Sequence, residues 1–131
     1  MKKKVDLLLV NPGNRIEQFA NLSPLATVAQ PLGIAILAAY VREQGFSVDI
    51  VDAEAESWTP EMAIEAIEEN YEPTAIGLSA FTTKMTAAGK ILRLVKERMP
   101  NVLTIAGGHH PSAIPKQTLI EEAADFVIKG E

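Results

Sequence analysis

The chain contains no cysteine. That absence excludes a disulfide framework, a thiolate nucleophile and any cysteine-held zinc or iron–sulfur cluster within these residues. Histidine is nearly as scarce, with only His109 and His110. Adjacent imidazoles point in different directions and chelate poorly by themselves, and the spacing offers no carboxylate partner, so no metal site is expected. Cations are outnumbered, 12 lysines and arginines against 17 acids, for a formal charge of -5. Phosphate backbones are gripped by clustered cations, so nucleic acid is not an expected partner. No apolar run approaches the ~20 residues needed to cross a bilayer, the longer one being Leu32 to Val41. Lys2 to Lys4 resemble the basic start of a signal peptide. The apolar stretch behind them, Val5 to Val10, is short, holds Asp6 and lacks a small-residue cleavage site. The expectation is a soluble cytoplasmic domain with no membrane partner.

What is present is ample for one core: 131 residues, 47% of them hydrophobic, within the usual size of a single domain. Short apolar, β-branched runs alternate with longer helical patterns. The runs are Val5–Val10, Ser47–Val51, Ala75–Ser79, Val102–Ala106 and a weak Phe126–Ile128. The first, third and fourth are nearly continuous in apolar residues, as in strands covered on both faces. The second alternates around Asp49, which places it at an edge. The first helix is predicted from about Pro31 to Gln44, with Gly45 as its left-handed stop. Thr59-Pro60 opens the second with a cap and a proline at the first helical position, and its glutamates (61, 65, 68 and 69) are expected to face away from Met62, Ala66 and Ile67. The third starts near Thr83, lines up Met85, Ala88, Leu92, Val95 and Met99, and stops at Pro100; a short fourth covers Lys116 to Glu122. Alternation of strand and helix predicts an α/β, flavodoxin-like (Rossmann-like) doubly wound parallel sheet of order 2-1-3-4-5, with helices on both faces.

In such sheets ligands bind beyond the carboxyl ends of the strands, where strand order reverses. The first strand ends in Asn11-Pro12-Gly13, and roughly twenty residues pass before the first helix, against 2–6 in ordinary βα loops. This segment carries Phe19, Leu22, Leu25 and Val28 among few charges, as a lid or covering segment does. The third strand ends in Ser79-Ala80-Phe81-Thr82-Thr83, whose hydroxyls can cap a helix or donate to a ligand. The fourth ends in Gly107-Gly108-His109-His110-Pro111, where paired glycines let a backbone approach a ligand closely.

Several chemistries are excluded at these turns. Asn11 and Ser79 stand where a phosphorelay receiver needs acids. Neither a Walker A loop nor GxGxxG follows the first strand, and there is no GxSxG elbow. No catalytic residue is assigned. The residues alone leave open a ligand cradle, an interaction or substrate-recognition domain of the same fold, and a small enzyme using His109 or His110 as general base.

At the same turns the sequence resembles the cobalamin-binding domains that precede radical S-adenosylmethionine domains, a family that includes anaerobic magnesium-protoporphyrin IX monomethyl ester cyclases and cobalamin-dependent radical methylases. Asn11-Pro12 and Gln30-Pro31-Leu32-Gly33 through Arg42 resemble its opening, and Gly45 to Ala53 its next segment. Ile76 to Thr82, Ile105 to Pro115 and Asp125 to Glu131 follow in order. The resemblance implies cobalamin at the carboxyl edge with its nucleotide tail beside the sheet. It places Asn11 and Pro12 at the first turn, and Leu32 and Gly33 behind the lid. Ser79, Phe81, Thr82 and Thr83 line the third strand end. Gly107 and Gly108 lie against the tail, and His109, His110 and Pro111 border the ring. Asn11 to Ile16 lack the D-x-H-x-x-G histidine of the methionine synthase type, which implies a base-off corrinoid without an imidazole from that loop. S-adenosylmethionine and a 4Fe–4S cluster would belong to a C-terminal radical barrel in the same chain, for methyl transfer or oxidative cyclisation.

Overall fold

The structure, a computed structural model, describes residues 2–12, 32–79, 85–107 and 124–128. The expected covering segment with Phe19, Leu22, Leu25 and Val28, and the short helix over 116–122, lie outside the described residues.

Five strands form one parallel sheet. In chain order the elements are β1 (Lys3–Asn11), α1 (Leu32–Glu43), β2 (Val48–Asp52), α2 (Pro60–Asn70), β3 (Tyr71–Ser79), α3 (Met85–Arg98), β4 (Leu103–Gly107) and β5 (Phe126–Val127). The strand order is β2-β1-β3-β4-β5, as the alternation of runs predicts, with β2 at an edge. Leu7 of β1 sits between Val48 and Ala75, and Gly77 of β3 sits between Leu9 and Ile105. Paired residues of parallel strands point to the same side, so these registers sort every side chain to one face or the other.

The two faces are packed differently. Leu8, Val10, Ile76 and Leu78 of the sheet meet Ile64 and Ile67 of α2 and Ile91, Leu92 and Val95 of α3 in one buried cluster. Fully burying such a side chain is worth ~1.5–3 kcal/mol, and this face carries most of the fully buried large ones. The opposite face is smaller: Leu9 and Val48 meet Ile34 and Ala38 of α1.

Local chemistry explains the element ends. Gly45 adopts φ +96° while its N–H donates to the Arg42 carbonyl at 3.0 Å, the left-handed stop expected there. Thr59 Oγ1 accepts from the Met62 N–H at 3.2 Å, capping α2 ahead of Pro60. Ser47 and Asp6 exchange side-chain bonds of 2.8 Å, seating the start of β2 against β1.

Three expectations are corrected. Pro60, Ala63, Ile64 and Ile67, at i, i+3, i+4 and i+7, form the buried stripe of α2, which leaves Met62 on the far side beside the glutamates, half exposed. The third strand begins at Tyr71 rather than Ala75. Pro73 lacks an N–H, yet it keeps register opposite Val5. The fourth strand is not covered along both faces: Thr104 and Ala106 are buried, Leu103 is exposed, because Leu103 points to the face where α1 lies two strands away.

Candidate site at the carboxyl edge

Strand register brings Asp52, Asn11, Ser79 and Gly107 into one row at the carboxyl ends of β2, β1, β3 and β4. Asn11 pairs with Asp52, Val10 with Leu78 just before Ser79, and Ser79 with Gly107. The order reverses between β1 and β3 in the middle of this row, where a doubly wound sheet opens a crevice.

Asn11 is buried, at 5% exposure. Its side-chain amide donates to Asp52 Oδ1 at 2.9 Å and, more weakly, to Glu54 Oε2 at 3.5 Å. Its carbonyl accepts from the Ala53 N–H at 3.1 Å, and Asp52 Oδ1 also accepts from the Ala55 N–H at 3.0 Å. The turn after β2 is held further by Trp58 N–H to the Ala53 carbonyl, 2.9 Å, with Ser57 at φ 56°. Asn11 therefore ties the end of β1 to the turn after β2 and fixes where the following Pro12, fully buried, points the chain. Asp52 and Glu54 were not singled out by sequence reasoning. The signal was the Val51-Asp52-Ala53 string, but a bond to a residue 41 positions away leaves no local trace.

Two positions near the rim on the α1 side are glycine. Gly77 faces that side and is buried beneath its β1 neighbours, since a Cβ there would meet Leu9 Cδ2 at 3.0 Å and Leu7 Cδ1 at 3.6 Å. Gly107 faces it too, partly exposed at the end of β4, its Cβ position lying 3.7 Å from Ile128 Cβ. Ile105 stands on the same face beside Gly77. Gly77 is a third residue that sequence reasoning missed, because it lies inside a strand rather than in a turn.

Of the residues expected at the site, Asn11, Pro12, Ser79 and Gly107 share the rim. Leu32 and Gly33 open α1; nothing lies within 4 Å of a Cβ placed on Gly33, so packing does not require glycine there. Phe81, Thr82, Thr83, Gly108, His109, His110 and Pro111 lie outside the described residues.

Groups with displaced acidity cluster at the other end of the sheet. Burial pushes the Asp49 carboxyl up, but the Ile50 N–H, Lys3 ammonium and Tyr71 hydroxyl outweigh it and hold it below its ordinary value. Burial and the same Asp49 raise Tyr71. The Lys96 ammonium, against burial and helped by Thr104, lowers Asp125. All three sit near the amino ends of β2, β3 and β5, away from the rim. A cavity of about 480 Å3 lies beside β2 and α2, lined by Trp58 and Tyr71. Its Lys3, Asp52, Asn70 and Tyr71 are bonded within the protein. No helix among the described residues is long and apolar enough to cross a membrane.

Comparison with known proteins gives three kinds of likeness. Residues 20–131 match the B12 binding domain family. The chain is 33% identical over 130 residues to an uncharacterised methyltransferase of Pyrococcus horikoshii, covering 98% of this chain and 27% of that protein. It is 30% identical over 103 residues to the anaerobic magnesium-protoporphyrin IX monomethyl ester cyclase of Rubrivivax gelatinosus, 77% of this chain and 18% of that one. Its fold matches the radical S-adenosylmethionine methyltransferase TsrM of Kitasatospora setae, solved with cobalamin and a 4Fe–4S cluster. The TM-score is 0.69 at 18% identity, over 99% of this chain and 22% of TsrM. The chain thus spans roughly a quarter or less of the length of each protein it resembles.

Proposed function

This chain belongs to the B12-binding domain family, and on that premise we propose that it is the cobalamin-holding module of a radical S-adenosylmethionine enzyme. The observation that carries the reading is the carboxyl edge where strand order reverses between β1 and β3 and β4 ends beside it in the partly exposed Gly107. A nucleotide tail can approach that backbone closely, where a larger side chain would exclude it. The described residues fit the group. Gly107 would lie against the tail, Ser79 would line the end of β3, and Asn11 would hold the turn from which Pro12 leads the chain over the edge. Gly108 would lie against the tail with Gly107, His109, His110 and Pro111 would border the ring, and Phe81, Thr82 and Thr83 would line the third strand end, with Leu32 and Gly33 behind the lid.

When bound, the corrinoid supplies methyl-transfer or redox chemistry at cobalt. This chain's residues supply position and exclude water. On this reading the module has no turnover of its own. S-adenosylmethionine, the 4Fe–4S cluster and the substrate would be met by a radical barrel in the same polypeptide, in the cytoplasm. The chain's match to a fraction of a methyltransferase and of a cyclase supports that arrangement.

Titrating the 131-residue chain with hydroxocobalamin tests the reading. The visible bands should shift and cobalamin should co-elute with protein on gel filtration. Gly107→Ala places a methyl group at ordinary contact distance from Ile128, so the variant should stay folded while binding weakens at least tenfold. No spectral change and no co-elution would sink the proposal in favour of an interaction domain of the same fold.

A further inference from the structure

Among the described residues β2 has a strand neighbour on one side, and its other side is a free edge of the sheet. Unpaired edge amides and carbonyls are a template for another strand, and an edge left open invites a second copy of the chain. The ladder shows which groups are at stake. The Ser47 carbonyl accepts from the Leu7 N–H at 3.1 Å, and the Ala53 N–H donates to the Asn11 carbonyl at 3.1 Å. Backbone groups alternate in direction from one strand residue to the next. Asp49 and Val51 therefore also turn toward β1, and Val48, Ile50 and Asp52 turn outward.

Each outward residue already has a backbone group taken. Arg42 Nη2, from the last turn of α1, donates to the Val48 carbonyl at 3.0 Å. The Ile50 N–H donates to Asp49 Oδ1 at 2.9 Å. The Asp52 carbonyl accepts from the Glu56 N–H at 3.3 Å, inside the turn that follows β2. Asp49 is itself held in place: its Oδ2 accepts from Lys3 Nζ at 3.1 Å and from the Tyr71 hydroxyl at 3.0 Å. Lys3 opens β1 and Tyr71 opens β3, so the carboxylate on the edge amide is anchored across both strands. This cluster lies at the opposite end of the sheet from the rim, and nothing at the rim requires it.

We propose that Arg42 and the Lys3–Asp49–Tyr71 cluster close the free edge of β2 against a second copy of this chain. The arrangement excluded is two β2 strands meeting antiparallel about a two-fold axis at Ile50. Ile50 would there exchange both its bonds with its own copy, and Val48 would exchange both with Asp52. Every bond of that ladder needs the Ile50 N–H, the Val48 carbonyl or the Asp52 carbonyl, and each of these is occupied. A carbonyl can accept twice, but a guanidinium bound to an outward carbonyl stands where the added strand would lie. The Asp52 carbonyl is tied within its own turn, so the blocks that substitution can remove are Arg42 and Asp49. The inference is independent of corrinoid binding, since β2 lies at the far end of the strand order from β4 and its Gly107.

Sedimentation and light scattering of the 131-residue chain test this with Arg42→Met, which keeps the apolar stem, with Asp49→Ala, and with the two combined. Thr59→Ala is the control, because it removes the cap of α2 and leaves the edge untouched. Wild type and Thr59→Ala should behave alike, while the combined variant should self-associate with a dissociation constant at least tenfold lower. Hydrogen exchange gives a readout that lost stability alone would not move. In dilute Asp49→Ala the Ile50 amide should exchange at least tenfold faster than in wild type, and in the combined variant it should regain protection as the protein is concentrated. A folded combined variant that associates no more than wild type, equal association by Thr59→Ala, or association that leaves Ile50 unprotected would each overturn the proposal. Should the combined variant fail to fold, the single substitutions decide by the same criteria.

Discussion

Replacing Asn11 isolates the tie that shapes the rim. The side chain is buried, and its amide bonds a carboxylate at 2.9 Å with a second one near. A hydrogen bond to a charged group is worth ~1.5–3 kcal/mol. Asp52 is half-buried, so water partly replaces the lost donor, and it keeps the Ala55 N–H. The cavity left by the amide offsets that relief. Asn11→Ala should therefore cost ~1.5–3 kcal/mol, read as a lower urea midpoint with unchanged slope, and as a fall in Tm of roughly 5–15 °C for a chain of this size. Asn11→Asp sharpens the case. It sets a third carboxylate beside Asp52 and Glu54, so at pH 7 it should be at least ~1 kcal/mol worse than Asn11→Ala. Repulsion raises the new carboxyl's folded pKa above its unfolded value, so the native state holds its proton more tightly. The added penalty is absent below the unfolded value of ~4 and develops as pH rises through the folded value. Urea melts of both variants at pH 3.5 and 7 check this. A cost for Asn11→Ala under ~0.5 kcal/mol, or no difference between the two variants at pH 7, would refute the assignment.

Gly77→Val should destabilise by ~1–3 kcal/mol, because even a Cβ would stand 3.0 Å from the buried Leu9, read as a lower urea midpoint. Gly45→Ala should cost ~1 kcal/mol, since its φ of +96° is strained for any side chain although the space around it is open. Acid should weaken the join between β4 and β5. Lys96, opposed by burial and aided by Thr104, holds Asp125 below its ordinary value, so that carboxylate stabilises the fold above pH ~4 and its contribution is lost as pH falls through the folded value. Lys96→Met should shrink the stability difference between pH 7 and pH 3 by about 1 kcal/mol, measured by urea unfolding at both.

Much of this arrangement was legible because its causes are local or periodic. The continuous apolar run at Val5–Val10 marks a central strand and the alternation around Asp49 an edge strand, and both hold. Gly45 and Thr59-Pro60 carry their own turn and cap chemistry, and both act where expected. What local pattern hid has long-range causes. Pro73 reads as a break, yet the ladder with β1 resumes around it because neighbours at Val5 and Leu7 hold the register. Met62 fits an apolar stripe with Ala66, but the sheet takes the stripe of Pro60, Ala63, Ile64 and Ile67 on the other side of the helix. The site was half visible: strand ends at Asn11, Ser79 and Gly107 follow from where the runs stop. The Asn11–Asp52 bond and the close packing of Leu9 on Gly77 depend on which strands become neighbours.

The unequal faces give stability and ligand handling to different parts of the same sheet. Nearly all the fully buried large side chains lie between the sheet and α2–α3, so losing one there costs ~2–5 kcal/mol wherever it sits relative to the rim. The α1 face holds a smaller cluster, with Ala75 and Gly77 buried beside it. A face built that way contributes less to the isolated fold than the α2–α3 face does. Ala38 and Ile34 anchor α1 over β1 and β2, which keeps the helix clear of Gly77 and Gly107. Widening that anchor, rather than altering the rim itself, would push α1 sideways relative to the crevice at the strand ends. Ala38→Leu should therefore affect corrinoid binding more than it affects stability, whereas a similar enlargement at Ala88, buried between α3 and the sheet, should do the reverse. Parallel urea melts and cobalamin titrations of the two variants would expose an equal effect on both readouts, and that equality would break the proposed division between the faces.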